Sequence, residues 1–174
     1  ELGEQNALPD WDNYKNYNTK MDEMWEYDQL IDLSQSLNLY FILFRHHAEV
    51  NYATWPNNWE ENPYRLGLNL SNFTSYFTNQ EAMQWQKNCL RYIFSRWGYT
   101  PNFAFYGYSE IDNWIAPMKE TEGVSYESAL NYFKNWNLEQ ISYIKNSLGY
   151  SKVLALNTYS GKDDPIEKEK KHTT

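Results

Sequence analysis

The sequence predicts an α/β protein built around a small parallel sheet, and three observations lead to that expectation. Three apolar runs, each too short for a helix and flanked by polar residues, stand at 39–44, 103–108 and 152–156. Before and between them lie amphipathic segments whose apolar residues recur at helical spacing. The resulting alternation of helix and strand leaves connections long enough for right-handed parallel crossovers.

Residues 1–18 lack a sustained period and carry Pro9 among several Asp and Asn, so they read as an irregular lead-in. From Thr19 the pattern turns helical. Thr19 with Asp22 resembles a capping box, and Met21, Met24, Trp25, Leu30, Ile31, Leu33 and Leu37 share one period until Asn38 breaks it. The run Leu39 to Phe44 then suits a strand buried on both faces, leaving through Arg45, His46 and His47. Residues 45–77 form a long connection rich in asparagine and aromatic side chains. Structureless loops of that length are uncommon, and an aromatic-rich one is expected to fold as a cover over a site.

Thr78 and Glu81 form a second capping box ahead of Ala82, Trp85, Cys89, Leu90, Ile93, Phe94 and Trp97, with Gly98 as the stop. After the strand at 103–108, residues 112–122 read as a polar loop. Ser125 opens a third helix with Tyr126, Ala129, Leu130, Phe133, Leu138, Ile141, Ile144 and Leu148 on its face and Gly149 at its end; Asn135 to Asn137 mark a point of interruption. The last strand at 152–156 leaves toward Tyr159. Residues 19–161 thus form the expected domain, and the charged residues 162–174 a flexible tail.

With 174 residues, 41% hydrophobic and 18% aromatic, the chain has material for one core. A net charge of −8 excludes a nucleic-acid partner, because counterion release at phosphates needs clustered Lys and Arg. No run of about 18 apolar residues suggests a membrane span, and no basic-then-apolar leader opens the chain. The lone Cys89 has no internal disulfide partner and reads as a small core residue. Eight Trp and sixteen Tyr are the unusual entries in the composition. Their rings supply buried area and also stack on the apolar faces of sugars, which points to a carbohydrate ligand.

Glu110 is the candidate for chemistry, because α/β barrels place catalytic groups at the C-terminal ends of parallel strands. Held in an enclosed site with a raised pKa, it would act as a general acid toward a glycosidic oxygen; otherwise it is an ordinary loop carboxylate. His46 and His47 form a ligand-contacting pair at a strand exit, and no further His or Cys stands at the spacing a metal would need. Trp55 and Trp59 are either sugar-stacking platforms or loop-core packing, and Trp114 and Tyr159, just past strand ends, have the same two readings. Arg91 and Arg96 read as structural bridges.

Several blocks taken together resemble a known family. They are the strand ending at His46-His47, the Trp59-Glu60-Glu61-Asn62-Pro63-Tyr64 loop, the helix start Phe77-Thr78-Asn79-Gln80-Glu81-Ala82, the block Leu90-Arg91-Tyr92-Ile93 to Arg96-Trp97-Gly98-Tyr99, and the strand ending at Glu110. About four fifths of the chain is similar to the middle of a clan-A (β/α)8-barrel glycoside hydrolase, of the family 5 cellulase-like and mannanase-like kind. The resemblance implies a partial TIM barrel comprising its third to fifth strands, with Glu110 as acid/base and Ser109 among the substrate-binding residues. It further implies hydrolysis of a β-linked polysaccharide or oligosaccharide with retention, no cofactor, and an extracellular or cell-surface location. The family carries Asn where Ser109 stands and Trp where Tyr106 or Phe105 stands, and takes its nucleophile from a seventh strand that has no counterpart here. A non-catalytic carbohydrate-binding or structural subunit is the competing expectation. Because a closed barrel takes roughly 250 residues, the strands are expected to be covered by the remainder of a barrel or by a partner chain.

Overall fold

The computed structural model describes residues 13–46, 58–108 and 114–156. A 3-10 turn at Tyr17–Lys20, capped by the Asn16 side chain, leads into α1, Met21–Ser36. Thr19 lies inside that turn, and no side chain caps α1 itself. The helix ends where Asn38 takes a left-handed φ of 53°. Leu39 N–H then donates to Ser34 O at 2.8 Å and Asn38 N–H to Gln35 O at 3.1 Å, which satisfies two orphan carbonyls of the last turn.

Strand β1, Phe41–His46, precedes three short helices: α2, Asn58–Glu61; α3, Pro63–Leu68; and α4, Thr74–Thr78. Asn62 caps α3 through Tyr64 N–H, with Pro63 in the first turn, where its missing N–H costs nothing. The long helix α5, Gln80–Trp97, is capped by Asn79, which accepts from Ala82 N–H at 2.9 Å. The Thr78 hydroxyl is turned instead to Thr74 O at 3.1 Å, so the expected Thr78–Glu81 box is replaced by a single cap one residue later, with Ala82 at the third position. Gly98 closes α5 with Phe94 O so near that a Cβ would lie 2.6 Å from it. Strand β2, Phe103–Tyr108, comes next, followed by α6, Ile115–Glu120. Helix α7, Tyr126–Ser142, is capped by Ser125 and runs unbroken past Asn135–Asn137; its register changes later, in a π turn at Tyr143–Ser147. Strand β3 is Val153–Leu156.

The strands run parallel in the order β1-β2-β3. Even so, the described residues are mostly helical, and this overturns the expected α/β class and the partial (β/α)8 barrel with it. The strands span only 6, 6 and 4 residues. Within the segments expected to be loop, at 45–77 and 112–122, α2, α3, α4 and α6 are helical, and the aromatic side chains there pack helix on helix instead of against a sheet. The first strand also begins later than 39–44, leaving Leu39 and Tyr40 outside it and exposed.

Tyr76, Phe77, Trp114, Phe133 and Trp136 form the centre of that helical core, with ring centroids 5.3–6.5 Å apart and mostly edge-to-face or tilted, as the ring quadrupole favours. One amide is buried among them. Gln86 Nε2 donates to Tyr76 O at 2.9 Å, and Gln86 Oε1 accepts from Trp136 Nε1 at 2.6 Å and Gln140 Nε2 at 3.3 Å. The lead-in is anchored separately. Tyr14 donates to Gly67 O at 3.2 Å, and its ring lies where any side chain on residue 67 would stand.

Among the described residues no helix is long and apolar enough to cross a membrane. Around the outer side of α1 and the start of β1, however, Trp25, Leu33, Leu37, Leu39, Tyr40 and Ile42 are all exposed. Large apolar side chains left exposed at positions this close in sequence favour association. Replacing both Leu33 and Leu37 with Lys is expected to raise the monomer fraction at high concentration, measured by size exclusion with light scattering. Gln86→Leu keeps the volume but deletes three buried hydrogen bonds; it is expected to lower stability in urea denaturation by about 2–3 kcal/mol.

Candidate functional site

The C-terminal ends of the three parallel strands are level. His46 is in register with Tyr108, and Tyr108 with Leu156. The chain therefore leaves all three strands along one edge of the sheet, which is the side where parallel sheets bind ligands. Of the residues singled out from sequence, His46 ends β1 on this edge. His47, Trp55, Ser109, Glu110 and Tyr159 lie outside the described residues.

Trp59 and Trp114 fall elsewhere. Trp59 is 6% exposed and meets Phe73 and Tyr76 edge-on, at 5.3 and 6.5 Å. Trp114 is 1% exposed, closed in by Tyr76, Phe77, Phe133 and Trp136. Both rings belong to the core, and neither offers a face to a sugar. The same core accounts for the aromatic connection after β1: α2, α3 and α4 place Trp59, Tyr64, Phe73, Tyr76 and Phe77 inside it.

The opposite, N-terminal edge of the sheet is fixed by polar contacts. Asn102 Nδ2 donates to Leu39 O at 2.6 Å and Ser34 O at 3.2 Å, while Asn102 O accepts from Phe41 N–H at 3.0 Å. Lys152 Nζ donates to Thr100 O and to Phe103 O, the latter at 3.1 Å, and Tyr150 OH also reaches Phe103 O at 3.4 Å. Burial pushes the Tyr150 hydroxyl up to about 12 and the Lys152 ammonium down from its ordinary value. Beneath the strands Phe41 stacks on Phe103 at 5.3 Å, and Phe94 packs against Tyr150 at 4.6 Å.

Two charged arrangements join distant segments: one uses Arg96, a bridge as its sequence reading expected, whereas Arg91 bridges nothing among the described residues. Glu122, at the entry to α7, receives the Phe73 and Thr74 N–H groups and the Thr74 hydroxyl, tying the start of α4 to a segment 48 residues away. Asp28 of α1 accepts from Arg96 Nε at 2.9 Å, Arg96 Nη2 at 2.6 Å and Trp97 Nε1 at 2.7 Å. Arg96 is thus a bridge between α1 and α5. Cys89 is buried and outside any disulfide, and among the described residues no group of three or more His, Cys, Asp or Glu could hold a metal.

The Arg96 guanidinium hydrogen-bonded to Asp28, with the Trp97 indole, holds the Asp28 carboxyl below the usual carboxylate value. Because the folded pKa is the lower one, this contribution is present in full above the unfolded value of about 3.9 and is lost as pH falls through that value and below it. Asp28→Asn is expected to lower stability by about 1–2 kcal/mol at pH 7. The gap between variant and wild type should close on titration toward pH 3 in thermal melts; a constant gap would remove the ionic contribution. Compared with protein-family models, with curated proteins and with solved structures, the chain matches none.

Proposed function

We propose that this chain forms part of a carbohydrate-active site whose chemistry is hydrolysis of a β-linked polysaccharide or oligosaccharide, with Glu110 as acid/base. One observation supports the reading most. Strand β2 is central in a parallel sheet, its last residue is level with the ends of both neighbours, and Glu110 follows that residue by two positions in sequence. Two residues of chain span at most about 7 Å. In this reading Glu110 acts at that strand edge, with His46, His47 and Tyr159 as sugar-contacting residues.

In the proposed reaction the protonated Glu110 gives its proton to the glycosidic oxygen as the C–O bond breaks. The resulting carboxylate then takes a proton from the water that attacks the anomeric carbon. Retention also needs a second carboxylate about 5 Å away as nucleophile; the family resemblance assigns it to a strand with no counterpart in these 174 residues. The second reading, a non-catalytic carbohydrate-binding or structural subunit, is favoured by Ser109. Its hydroxyl is shorter than the Asn amide that the resembled family uses to hold a sugar hydroxyl.

The test is Glu110→Gln, assayed by reducing-end release from β-linked glucans and mannans and by glycan affinity electrophoresis. Loss of turnover by about 10²–10⁴-fold with affinity retained is the expected result for an acid/base residue. Unchanged hydrolysis removes Glu110 from the chemistry, and glycan retention by a wild type that hydrolyses nothing supports the binding reading.

A further inference from the structure

We propose a second ligand site, in the groove where the lead-in crosses the outward face of α5, that takes a sugar ring bearing a single acidic group, as in a uronic acid residue of an oligosaccharide. The groove has a volume of about 470 Å³, within the range of small-molecule sites. Trp85, Asn88, Arg91, Tyr92 and Ser95 line it from α5, and Lys15 from the lead-in. The spacing explains the composition of the wall. Ala82, Met83, Gln86, Cys89, Leu90, Ile93, Phe94 and Trp97 are the buried positions of α5, so the residues between them face outward on the other side of the helix.

The two walls are held in place. Tyr14, beside Lys15, is pinned through its hydroxyl to Gly67 and meets Trp85 edge-on at 5.7 Å. Tyr17 meets Tyr92 edge-on at 5.1 Å. The groove therefore has an aromatic lining of Trp85, Tyr17 and Tyr92, with the Arg96 guanidinium 5.7 Å over the Tyr92 ring; open ring faces of this kind suit the apolar C–H face of a pyranose.

The three cations have different duties. Arg96 commits Nε and Nη2 to Asp28 and Nη1 to the Tyr92 hydroxyl at 2.5 Å, so it serves as a fixed wall. Lys15 lies 3.6 Å from Glu81 and over the Trp85 ring at 5.5 Å. Arg91 is exposed and has no hydrogen-bond or ion-pair partner among the described residues. Its planar fork matches a carboxylate in two hydrogen bonds. Asn88 accepts from Gln84 at 3.3 Å through its oxygen, which leaves its N–H groups for ring hydroxyls, with the exposed Ser95 hydroxyl about two turns further on.

The wider field selects against heavily charged ligands. The chain carries −8 overall, so a dense polyanion is repelled while one acidic group at Arg91 is accommodated. None of these residues belongs to the strand edge, so hydrolysis or its absence does not bear on this site.

The experiment is calorimetric titration of the full chain with glucuronosyl-glucose, with cellobiose as the neutral match and with sodium sulfate. The expected order is the acidic disaccharide well ahead of cellobiose. Arg91→Ala should weaken the acidic ligand at least tenfold and change cellobiose affinity less than twofold; Ser95→Glu should abolish acidic binding by repulsion. Equal affinity for the two disaccharides, or no effect of Arg91→Ala, overturns the acidic-sugar assignment. No heat from either at about 10 mM overturns the site itself, and sulfate binding as tightly as the disaccharide reduces it to an adventitious ion only.

Discussion

The small sheet depends on one buried amide. Asn102 is 6% exposed and joins the end of α1, the start of β1 and the start of β2 through three hydrogen bonds. Buried polar groups are stable only when paired, and in a low-dielectric interior those pairs are strong and directional. Moving β1 by one residue against β2 would break these contacts together with the Phe41–Phe103 stack. Lys152 and Tyr150 perform the corresponding task for β3, through carbonyls at Thr100 and Phe103. Both outer strands are thereby hung from the turn that precedes β2, and the alignment of the three C-terminal ends follows from their common start.

The rest of the core obeys different physics. Around Tyr76, Phe77, Trp114, Phe133 and Trp136 the contacts are between helices, and large rings at tilted angles fill the space. Helices shorter than about 12 residues are marginal alone, so α2, α3 and α4 exist because their rings are buried there, and α6 because Ile115 and Met118 are buried beside Trp114. Asn62 and Glu122 satisfy N–H groups at the starts of α3 and α4. The aromatic connection serves first to build this core, and the ligand roles left to its rings are correspondingly fewer.

Charge is distributed with similar economy. Asp28 receives three donors from the end of α5, which consumes Arg96 and positions Tyr92 through its hydroxyl. Arg91, five residues earlier on α5 and exposed, has no ion-pair partner among the described residues. On an acidic chain, that difference between neighbouring arginines is what separates a structural cation from one available to a ligand.

What the sequence determined by itself was local. The apolar period marked α5 and α7, Ser125 marked the start of α7, and Asn38 marked the end of α1, because each depends on residues within about four positions of one another. Tertiary structure decided the remainder. Whether Trp59 and Trp114 face a ligand or a core, whether 58–78 is a cover or a set of helices, and whether the chain is α/β or mostly helical all turned on contacts across the chain. Trp136 with Gln86, Glu122 with Thr74 and Arg96 with Asp28 are separated by 50, 48 and 68 residues. No short-range pattern records such a pairing, since each partner alone is an ordinary amide, carboxylate or guanidinium. Only the folded chain, by removing them from water, makes their pairing obligatory.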